Sequence, residues 1–441
     1  MKIFIVGGAV RDKLLGKNPS DIDYVVVGST PEEMISLGYE QVGADFPVFL
    51  NPDTNDEYAL ARTERKTGAG YLDFETKFDK TITLEDDLLR RDLTINAMAM
   101  DEDGNVIDPF NGMKDLENKV IRHVSEAFKE DPVRVLRVAR FMAKMPDFTI
   151  AHETKEMLKE MVSNGEVDNL KPDRIWKEFV KAFNTDNPER FINTLQELGA
   201  LKVILPEIEK MRGVPQRADY HAEGDVYIHT LMVLKEACKL SKGLPENDKL
   251  FVRMSALFHD IGKAYTPNHL LYEDDGSIKG HHHGHDSKEI VEPKIREVGK
   301  RLRMPKAIED FCIDVGIFHQ KIHQIKKMSP RGITKMFNEL SIRQKAGNGN
   351  EDRYIDNFMM SCYADALGRK VTVNNEIQDA PKEYPQQDIF RTCFKEYSNC
   401  SADLQNWIKT YTERNEKKPE GELIKTRLYD IRVKKLKNIN F

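Results

Sequence analysis

The stretch SDIDYVVVG, residues 20 to 28, sets two aspartates at the start of a run of β-branched and aromatic residues. Acidic residues are depleted in strands, so their presence where a buried strand begins calls for an explanation. Side chains alternate along a strand, which puts residues two apart on the same face. Asp21 and Asp23 are therefore predicted to lie side by side, where their like charges repel unless a cation neutralises them.

Magnesium is the cation that we expect at Asp21 and Asp23. Mg²⁺ prefers oxygen ligands and is commonly bound by one or two carboxylates together with the phosphates of a substrate. An isolated Asp-x-Asp is more typical of a solvated turn, in which an aspartate caps a helix or accepts a turn hydrogen bond. The surrounding motifs decide between these alternatives.

A glycine turn precedes the two aspartates, in VGGAVRD at residues 6 to 12. The pattern predicts a strand that ends at Gly7 and Gly8, with a helix starting near Val10. Glycine lets backbone N–H groups approach a phosphate, and the start of a helix favours an anion. Arg11 is a charge-assisted donor for the same phosphate. Glycines are also common at a plain strand-turn-helix corner, but in combination with the two aspartates they indicate a triphosphate and metal site.

Length and composition indicate a soluble protein of two to four domains, because 441 residues exceed one ordinary core. No apolar run approaches the roughly 20 residues of a membrane span, and the first residues do not resemble a signal peptide. The five cysteines include no C-x-x-C pair, which is typical of free thiols in a reducing cytoplasm. A net charge of −6 argues against indiscriminate coating of nucleic acid but permits a local basic cleft.

The organisation of the chain predicts an α+β protein. Residues 1 to about 112 alternate β-rich runs with turns, which indicates a small mixed-sheet head domain with a few helices. Helical periodicity then continues to the end, with a Pro- and Gly-punctuated boundary at 205–216. We predict a head domain at 1–114, a helical neck at 115–216, a third helical domain at 226–330 and a helical C-terminal region at 331–441.

Two further segments carry arginines beside acids. RRDLTINAM, residues 90 to 98, contains Arg91, and EDPVRVLRVARF, residues 130 to 141, steps a helix through Arg134, Arg137 and Arg140 after Asp131. A surface helix with salt bridges is the ordinary explanation of such a stripe. The excess of three arginines over one aspartate suits an anionic or planar partner better than a set of salt bridges, because the guanidinium fork matches both a phosphate and a base edge.

The order and spacing of GGAVRD, DIDYVVVG, ARTERK, RRDLTINAM, DPFNG and EDPVRVLRVARF resemble those of class II CCA-adding enzymes, the tRNA nucleotidyltransferases. The resemblance implies a head domain for a nucleoside triphosphate and Mg²⁺, and a neck that selects CTP or ATP without a nucleic-acid template. It implies that Asp21 and Asp23 are catalytic and hold the metal. The segment RTERKTGAGYLDFETKF (62–78) also resembles a flexible loop of that family, which is linked to the switch from C to A addition.

The same resemblance assigns the nucleotide contacts. It implies that Gly8, Arg11, Arg91, Arg137 and Arg140 contact the triphosphate. It further implies that Asp131 and Arg134 hydrogen-bond the edge of cytosine or adenine.

A second group of residues is spread over the C-terminal half. His229 lies in GDVYIHTLMVL, His259 and Asp260 in ALFHDIGKA, His285 in GHHHGHDSKEI, and Asp365 in SCYADALGRK. A lone histidine is usually a packed or capping residue, but this set resembles the HD phosphohydrolases. Imidazole and carboxylate ligands suit a divalent transition metal, and the resemblance implies one such as Ni²⁺ or Mn²⁺.

The HD resemblance has open points. The histidines at 281, 282 and 283 are also compatible with adventitious metal binding. Where a second His-Asp pair is expected, the chain has His319 followed by Gln320, a poorer ligand that argues against a second metal. HD domains occur in one bacterial branch of CCA-adding enzymes, and there the resemblance implies a phosphatase, 2′-nucleotidase or 2′,3′-cyclic phosphodiesterase.

Three functions therefore remain for comparison. The first is a multifunctional CCA-adding enzyme acting on tRNA in the cytoplasm as a monomer or dimer, with no membrane contact. The second is a bacterial poly(A) polymerase, which resembles the first in its head and neck. The third is an RNA-binding protein with an inactive site, against which the retained Asp21 and Asp23 argue. The basic segment at 425–437 is either a further RNA contact or a solvated helix.

Overall fold

The structure, a computed structural model, describes residues 1–19, 21–42, 48–66, 74–347, 349–373 and 376–439. These residues form two compact units. The first contains Met1–Glu178 and Arg190–Ala200, and the second contains Phe179–Glu189 and Leu201–Phe441.

A mixed sheet forms the centre of the first 110 residues. Its seven strands follow the order β3-β4-β5-β2-β1-β8-β9; β2 and β5 are parallel and the other neighbours are antiparallel. A separate antiparallel pair is formed by β6 and β7. Residues 67–73, which belong to the loop predicted to resemble the C-to-A switch, lie outside the described residues. The strands are β1 (Lys2–Val6), β2 (Asp23–Val27), β3 (Glu40–Val42), β4 (Val48–Leu50), β5 (Glu57–Leu60), β6 (Thr63–Lys66), β7 (Phe74–Lys77), β8 (Ala99–Met100) and β9 (Val106–Ile107).

Both faces of the sheet are apolar, because β-branched and aromatic residues occupy successive positions along β1 and β2. One face packs Phe4, Val6 and Val25 into a cluster, and the opposite face packs Val26 with Phe49. Both clusters fix the central strands in register, with Val6 paired to Asp23. The turn after β1 is thereby held beside the start of β2.

Helices follow the sheet, as the periodicity predicts. The helices up to residue 197 are α1 (Gly8–Leu14), α2 (Pro31–Ser36), α3 (Leu84–Leu89), α4 (Gly112–Glu117), α5 (Val133–Lys144), α6 (His152–Ser163), α7 (Pro172–Phe183) and α8 (Pro188–Glu197). A short parallel pair, β10 (Val120–Ile121) and β11 (Thr149–Ile150), lies within the predicted helical neck.

The second unit is built from helices packed around α12. This helix contacts α11, α15 and α18, and small residues such as Ala237, Ala256 and Ala364 allow the close approach. Its helices are α9 (Leu201–Ile204), α10 (Pro206–Glu209), α11 (Val226–Leu240), α12 (Glu246–Phe258), α13 (Asn268–Leu271), α14 (Lys288–Leu302), α15 (Lys306–His323), α16 (Pro330–Leu340), α17 (Ile342–Ala346), α18 (Glu351–Leu367), α19 (Gln386–Ser398), α20 (Ser401–Asn415) and α21 (Gly421–Lys437).

The predicted α+β class and the mixed-sheet head are confirmed. One detail of the prediction needs correction: the C-terminal region is not wholly helical, because β12 (Lys370–Val373) pairs with β13 (Glu376–Asp379). The alternating β-branched residues of KVTV favour a strand there. All five cysteines are buried and unpaired. Within the described residues, none of the helices has the length and apolar character needed to cross a membrane.

Candidate functional site

A cleft of about 390 Å³ lies in the first unit, between the strand ends of the sheet and helix α5. Seven basic and three acidic side chains line it, so its field favours an anion. Its lining is Gly7, Gly8, Arg11, Asp23, Arg90, Arg91, Asp92, Asn96, Asp131, Arg134, Arg137, Arg140, Phe141 and Lys144. All the residues predicted to contact a nucleotide are therefore brought together here.

The structure places one of the two aspartates of the opening motif, Asp23, in the lining of the cleft. Asp23 is the first residue of β2 and lines the cleft, while Asp21 lies in the bend just before the strand. Both are solvent-exposed. Their carboxylates supply hard oxygen donors of the kind that Mg²⁺ prefers.

The glycine turn allows the backbone to pass close to the arginines. Gly7 has a φ of 71°, a left-handed conformation that disfavours any side chain. A Cβ placed at Gly7 would lie 2.9 Å from Nη1 of Arg91. Gly8 is the first residue of α1, and a Cβ there would lie 3.3 Å from Nη2 of Arg11. The turn therefore leaves room for an anion against backbone N–H groups.

Arg11 and Arg91 are held in place by internal partners. The buried Arg11 donates to Oδ1 of Asn96 at 2.6 Å and to Oδ1 of Asp12 at 2.8 Å. Arg91 donates to the buried Asp87 at 3.1 Å, while its own Nε is buried with no hydrogen-bond partner among the described residues. Asp87, which the sequence analysis did not identify, anchors the arginine pair at 90 and 91.

Arg137 is paired with Asp92, a second carboxylate that the predicted site omitted. Arg137 Nε lies 2.8 Å from Oδ2 of Asp92, and Asn96 donates to the other carboxylate oxygen at 3.1 Å. Burial opposes ionisation of Asp92, but the charge of Arg137 and the Asn96 hydrogen bond outweigh it and lower the pKa to about 2. The Asp92–Arg137 pair thus fixes one wall of the cleft.

The Asp92 carboxyl predicts an acid-sensitive contribution to stability. Its folded-state pKa of about 2 lies below the ordinary 3.8, so the stabilisation is complete above pH 4 and is lost as the pH falls toward 2. We expect Asp92→Asn to lower the free energy of unfolding by about 2 kcal/mol at pH 7 and by only about 1 kcal/mol at pH 3. Urea unfolding at the two pH values measures this, with the exposed Asp103→Asn as control. An equal loss at both pH values would contradict the assignment.

The two predicted base-reading residues, Asp131 and Arg134, have defined partners. Arg174 on α7 donates to both oxygens of Asp131 at 2.8 Å each, a bidentate pair that fixes the plane of the carboxylate. Arg134 donates to the backbone carbonyls of Ala127 and Arg90 at 3.0 and 2.9 Å. These contacts orient both side chains along one edge of the cleft.

Arg140 and Lys144 complete the basic wall on α5. Arg140 Nε lies 2.5 Å from Oε2 of Glu178 and its guanidinium stacks on Phe141. Burial and the nearby Arg11 lower the pKa of Lys144.

A second site lies in the second unit, where ring nitrogens and carboxylate oxygens converge. Nε2 of His229 on α11 is 3.3 Å from Nε2 of His259 and 3.1 Å from Oδ1 of Asp365 on α18. Oδ2 of Asp260 lies 3.2 Å from Nε2 of His259 and 3.6 Å from Nε2 of His229. Three of the five predicted metal ligands, His229, His259 and Asp365, are therefore within the spacing of donors to a single ion, and Asp260 lies beside them.

The fifth predicted ligand, His285, lies on the other side of Asp260. Its Nε2 is 3.3 Å from Oδ1 of Asp260, and Nε2 of His319 is 3.5 Å from the same oxygen. His285, His319 and Asp260 thus form a second donor group next to the first. This group does not use Gln320, because His319 itself supplies the donor.

The rings are oriented by their other nitrogens. Nδ1 of His259, His285 and His319 faces the carbonyls of Ala256, His282 and Val315 at 2.8, 2.6 and 3.0 Å. Such contacts fix the tautomer that leaves Nε2 free to bind a metal. This is an arrangement that the sequence motif alone does not reveal.

The donors fit a transition metal. Nε2 of His285, Nε2 of His319 and Oδ1 of Asp260 are buried without hydrogen-bond partners among the described residues, which is costly unless an ion binds them. Burial favours a neutral Asp260 carboxyl, but Lys263 and His259 outweigh it and hold the pKa well below its ordinary range. An ionised carboxylate with imidazole donors suits Ni²⁺, Mn²⁺ or a similar ion better than Mg²⁺.

Comparison with known proteins agrees with this division. Three families match the sequence: the Poly A polymerase head domain at residues 3–122, the probable RNA and SrmB-binding site of polymerase A at 147–211, and the HD domain at 226–331. The first site lies within the span of the first two matches and the segment between them, and the histidines and Asp260 of the second site lie within the HD match, while Asp365 lies beyond its end.

Two relatives match almost the whole chain. A multifunctional CCA protein of Vibrio campbellii is 45% identical over 412 residues, which is 93% of this chain and 94% of that protein. A multifunctional CCA protein of Haemophilus influenzae is 43% identical over 437 residues, 99% of each chain.

Solved structures share the fold at lower identity. A CCA-adding enzyme in complex with CTP has a TM-score of 0.60 at 21% identity, covering 100% of this chain and 88% of that one. A Thermotoga maritima CCA-adding enzyme complexed with tRNA has a TM-score of 0.58 at 20% identity, with coverage of 100% and 88%.

Proposed function

The chain belongs to the family of multifunctional CCA proteins, and from that premise we propose that it adds and repairs the 3′-terminal CCA of tRNA, using CTP and ATP without a nucleic-acid template. The observation that carries this proposal is the basic cleft, which has Asp23 at its mouth and Asp131 and Arg134 along one edge. The related structure with CTP supports the choice of nucleotide for that relative.

Four arginines of the cleft and the glycine turn are proposed to bind the triphosphate. Arg11, Arg91, Arg137 and Arg140 are proposed to hold the triphosphate, with the backbone at Gly8 closing on its oxygens. Because these arginines are already fixed by internal ion pairs and hydrogen bonds, little of their freedom is lost on binding. The triphosphate is thereby aligned for in-line attack by the tRNA 3′-hydroxyl.

Asp21 and Asp23 supply the acidic side of the reaction. When bound there, Mg²⁺ neutralises charge on the triphosphate and favours loss of the proton from the attacking hydroxyl. The two carboxylates would hold that ion next to the arginines that are proposed to bind the triphosphate.

Base selection follows from hydrogen-bond patterns. Cytosine and adenine each carry an amino donor next to a ring-nitrogen acceptor, whereas guanine and uracil carry a carbonyl acceptor at the position of that amino group. A carboxylate accepts from the amino group and a guanidinium donates to the ring nitrogen, so Asp131 beside Arg134 fits cytosine and adenine. Arg174 keeps the Asp131 carboxylate in the plane that this readout needs.

Arg134→Ala tests the base readout. We expect two ratios of kcat/KM to fall by about 10- to 100-fold: that of CTP or ATP to UTP, and that between CTP and ATP. This is the effect of losing one or two hydrogen bonds to the base edge. Arg137→Lys, which keeps its charge beside Asp92, should instead raise KM similarly for all nucleotides. Equal losses for every nucleotide with Arg134→Ala would argue against base reading.

The direct test of the proposal is incubation with a tRNA that lacks its terminal trinucleotide. Sequential addition of two C residues and then one A from labelled CTP and ATP is expected. Addition of an A-tract without CTP would indicate a poly(A) polymerase instead, and no incorporation would indicate an RNA-binding protein.

We further propose that the second site is a metal-dependent phosphohydrolase acting on phosphate esters of the 2′-nucleotide or 2′,3′-cyclic type. His229, His259 and Asp365 would hold one ion such as Ni²⁺ or Mn²⁺, and Asp260, His285 and His319 a second. When bound, such an ion activates water for attack on a phosphoester. Lys263, whose Nζ lies 2.6 Å from Asp260, holds that carboxylate in the ionised state.

The proposed domains are those predicted from the sequence: a head at 1–114, a neck at 115–216, an HD domain at 226–330 and a C-terminal region at 331–441. The family matches support this division without fixing its boundaries. Free, buried cysteines support the proposal that the protein works in a reducing cytoplasm.

A further inference from the structure

Glu223 is a buried acid in the second unit that belongs to neither of the two donor groups described above. It lies in the segment just before α11, and only 2% of its side chain is exposed. Burial of a carboxylate is costly unless hydrogen-bond donors or positive charges compensate it. The neighbours of Glu223 therefore indicate what the carboxylate does.

The two oxygens of Glu223 face different parts of the unit. Oε2 accepts a hydrogen bond from the backbone N–H of Lys370 on β12 at 2.9 Å. Oε1 lies 2.9 Å from Nδ1 of His221 and 2.9 Å from Nδ1 of His229. Because the Lys370 amide fixes one oxygen, the other is held against the ring of His229.

The ring of His229 is fully buried, and its two nitrogens face different groups. Nε2 faces His259 and Asp365 of the first donor group, at 3.3 and 3.1 Å. Nδ1 faces Glu223, and no backbone carbonyl or other acceptor among the described residues bonds to it. A neutral imidazole that binds a metal through Nε2 carries its proton on Nδ1, and this proton needs an acceptor.

His229 differs in this respect from the three other imidazole donors. Nδ1 of His259, His285 and His319 faces backbone carbonyls, which are neutral. A carboxylate next to a metal-binding imidazole also fixes the tautomer, and it raises the basicity of the nitrogen that binds the metal. The first donor group therefore contains one histidine whose outer partner is a carboxylate.

We propose that Glu223 is a positioning residue of the second site. Its carboxylate accepts the Nδ1 proton of His229 and thereby directs the lone pair of Nε2 toward the ion of the first donor group. The inference rests on the proposed metal-dependent hydrolase. It adds to that site a residue outside both donor groups that sets how tightly the ion is held.

Glu223→Gln tests the proposal, because it keeps the size of the side chain and removes one acceptor oxygen. If the amide oxygen accepts from the N–H of Lys370, the NH₂ group faces His229 and favours a proton on Nε2, the atom that has to bind the metal. We expect the affinity of the metal-free, full-length protein for added Mn²⁺, measured by calorimetry, to fall by about 10- to 100-fold. Hydrolysis of a 2′-nucleotide should lose kcat at low Mn²⁺ and recover it in excess Mn²⁺, with KM for the nucleotide unchanged.

Two further variants serve as controls. His221→Gln removes the other imidazole at Oε1 of Glu223 and leaves the contact with His229 in place. Glu246→Gln changes an exposed acid at the start of α12. Both should bind Mn²⁺ as the wild type does. Urea unfolding of the metal-free protein should give similar midpoints for all three variants, because the proposed role of Glu223 is exerted on the bound metal.

The outcomes separate this role from the proposed metal site. If the wild type binds Mn²⁺ and Glu223→Gln binds it equally well, the positioning role is overturned while the metal site stands. If His221→Gln weakens Mn²⁺ binding as much as Glu223→Gln does, the loss reports the packing of the segment before α11, and the positioning role is again overturned. If the wild type binds no Mn²⁺, the proposed metal site fails and the positioning role fails with it.

Discussion

Asp23→Asn is expected to abolish nucleotide addition, lowering kcat by about 10³-fold or more, while hydrolysis at the HD site is unchanged. The substitution keeps the size of the side chain and removes the charge that faces the cleft beside the glycine turn. Without that charge, the metal that binds the triphosphate loses a carboxylate ligand. Radiolabelled CTP incorporation into a tRNA without its terminal trinucleotide gives the rate.

The matched control is Asp103→Asn, an exposed aspartate in the turn before β9, which should retain full activity. Magnesium titration adds a second readout, because a lost ligand should raise the magnesium concentration needed for any residual activity. Retained activity in Asp23→Asn would remove this carboxylate from the mechanism. Loss of both activities together would contradict the assignment of two separate sites.

His259→Ala is expected to have the converse effect. It removes a buried donor that lies within 3.3 Å of His229 and 3.2 Å of Asp260, so bound transition metal should fall by more than about 100-fold in affinity. Hydrolysis of a 2′-nucleotide should fall by about 10³-fold, and CCA addition should be unchanged. Metal content after dialysis and both activities are the measurements.

His269→Ala is the control for this variant, because His269 is exposed and lies outside the donor groups. Equal metal content in His259→Ala and the wild type would contradict the proposed centre. Loss of CCA addition with retained secondary structure would instead indicate that the HD site supports the transferase reaction.

The fold of the head and the position of its acidic motif could be predicted because they depend on local pattern. Alternating β-branched residues give β1 and β2, and a glycine turn between them fixes where Asp23 emerges. The rest of the cleft depends on contacts between distant segments. The pairs formed by Arg137 with Asp92 and by Arg174 with Asp131 join residues more than 40 positions apart, and no short motif encodes them.

The HD site shows the same limit. The motif indicated His229, His259 and Asp365, whereas His319 was not among the predicted ligands. The position of His319 on α15 would have indicated it as a donor, because the carbonyl of Val315 one turn earlier orients its ring toward Asp260. The strands β12 and β13 were missed because helical periodicity on both sides was extended across them.

The most direct test of the proposed transferase site is a crystal structure with CTP and magnesium bound. We expect the triphosphate to lie against Arg91 and Arg137, the metal to bind the carboxylates of Asp21 and Asp23, and the cytosine edge to contact Asp131 and Arg134. A cleft that stays empty at saturating CTP, or a base that contacts neither Asp131 nor Arg134, would contradict it.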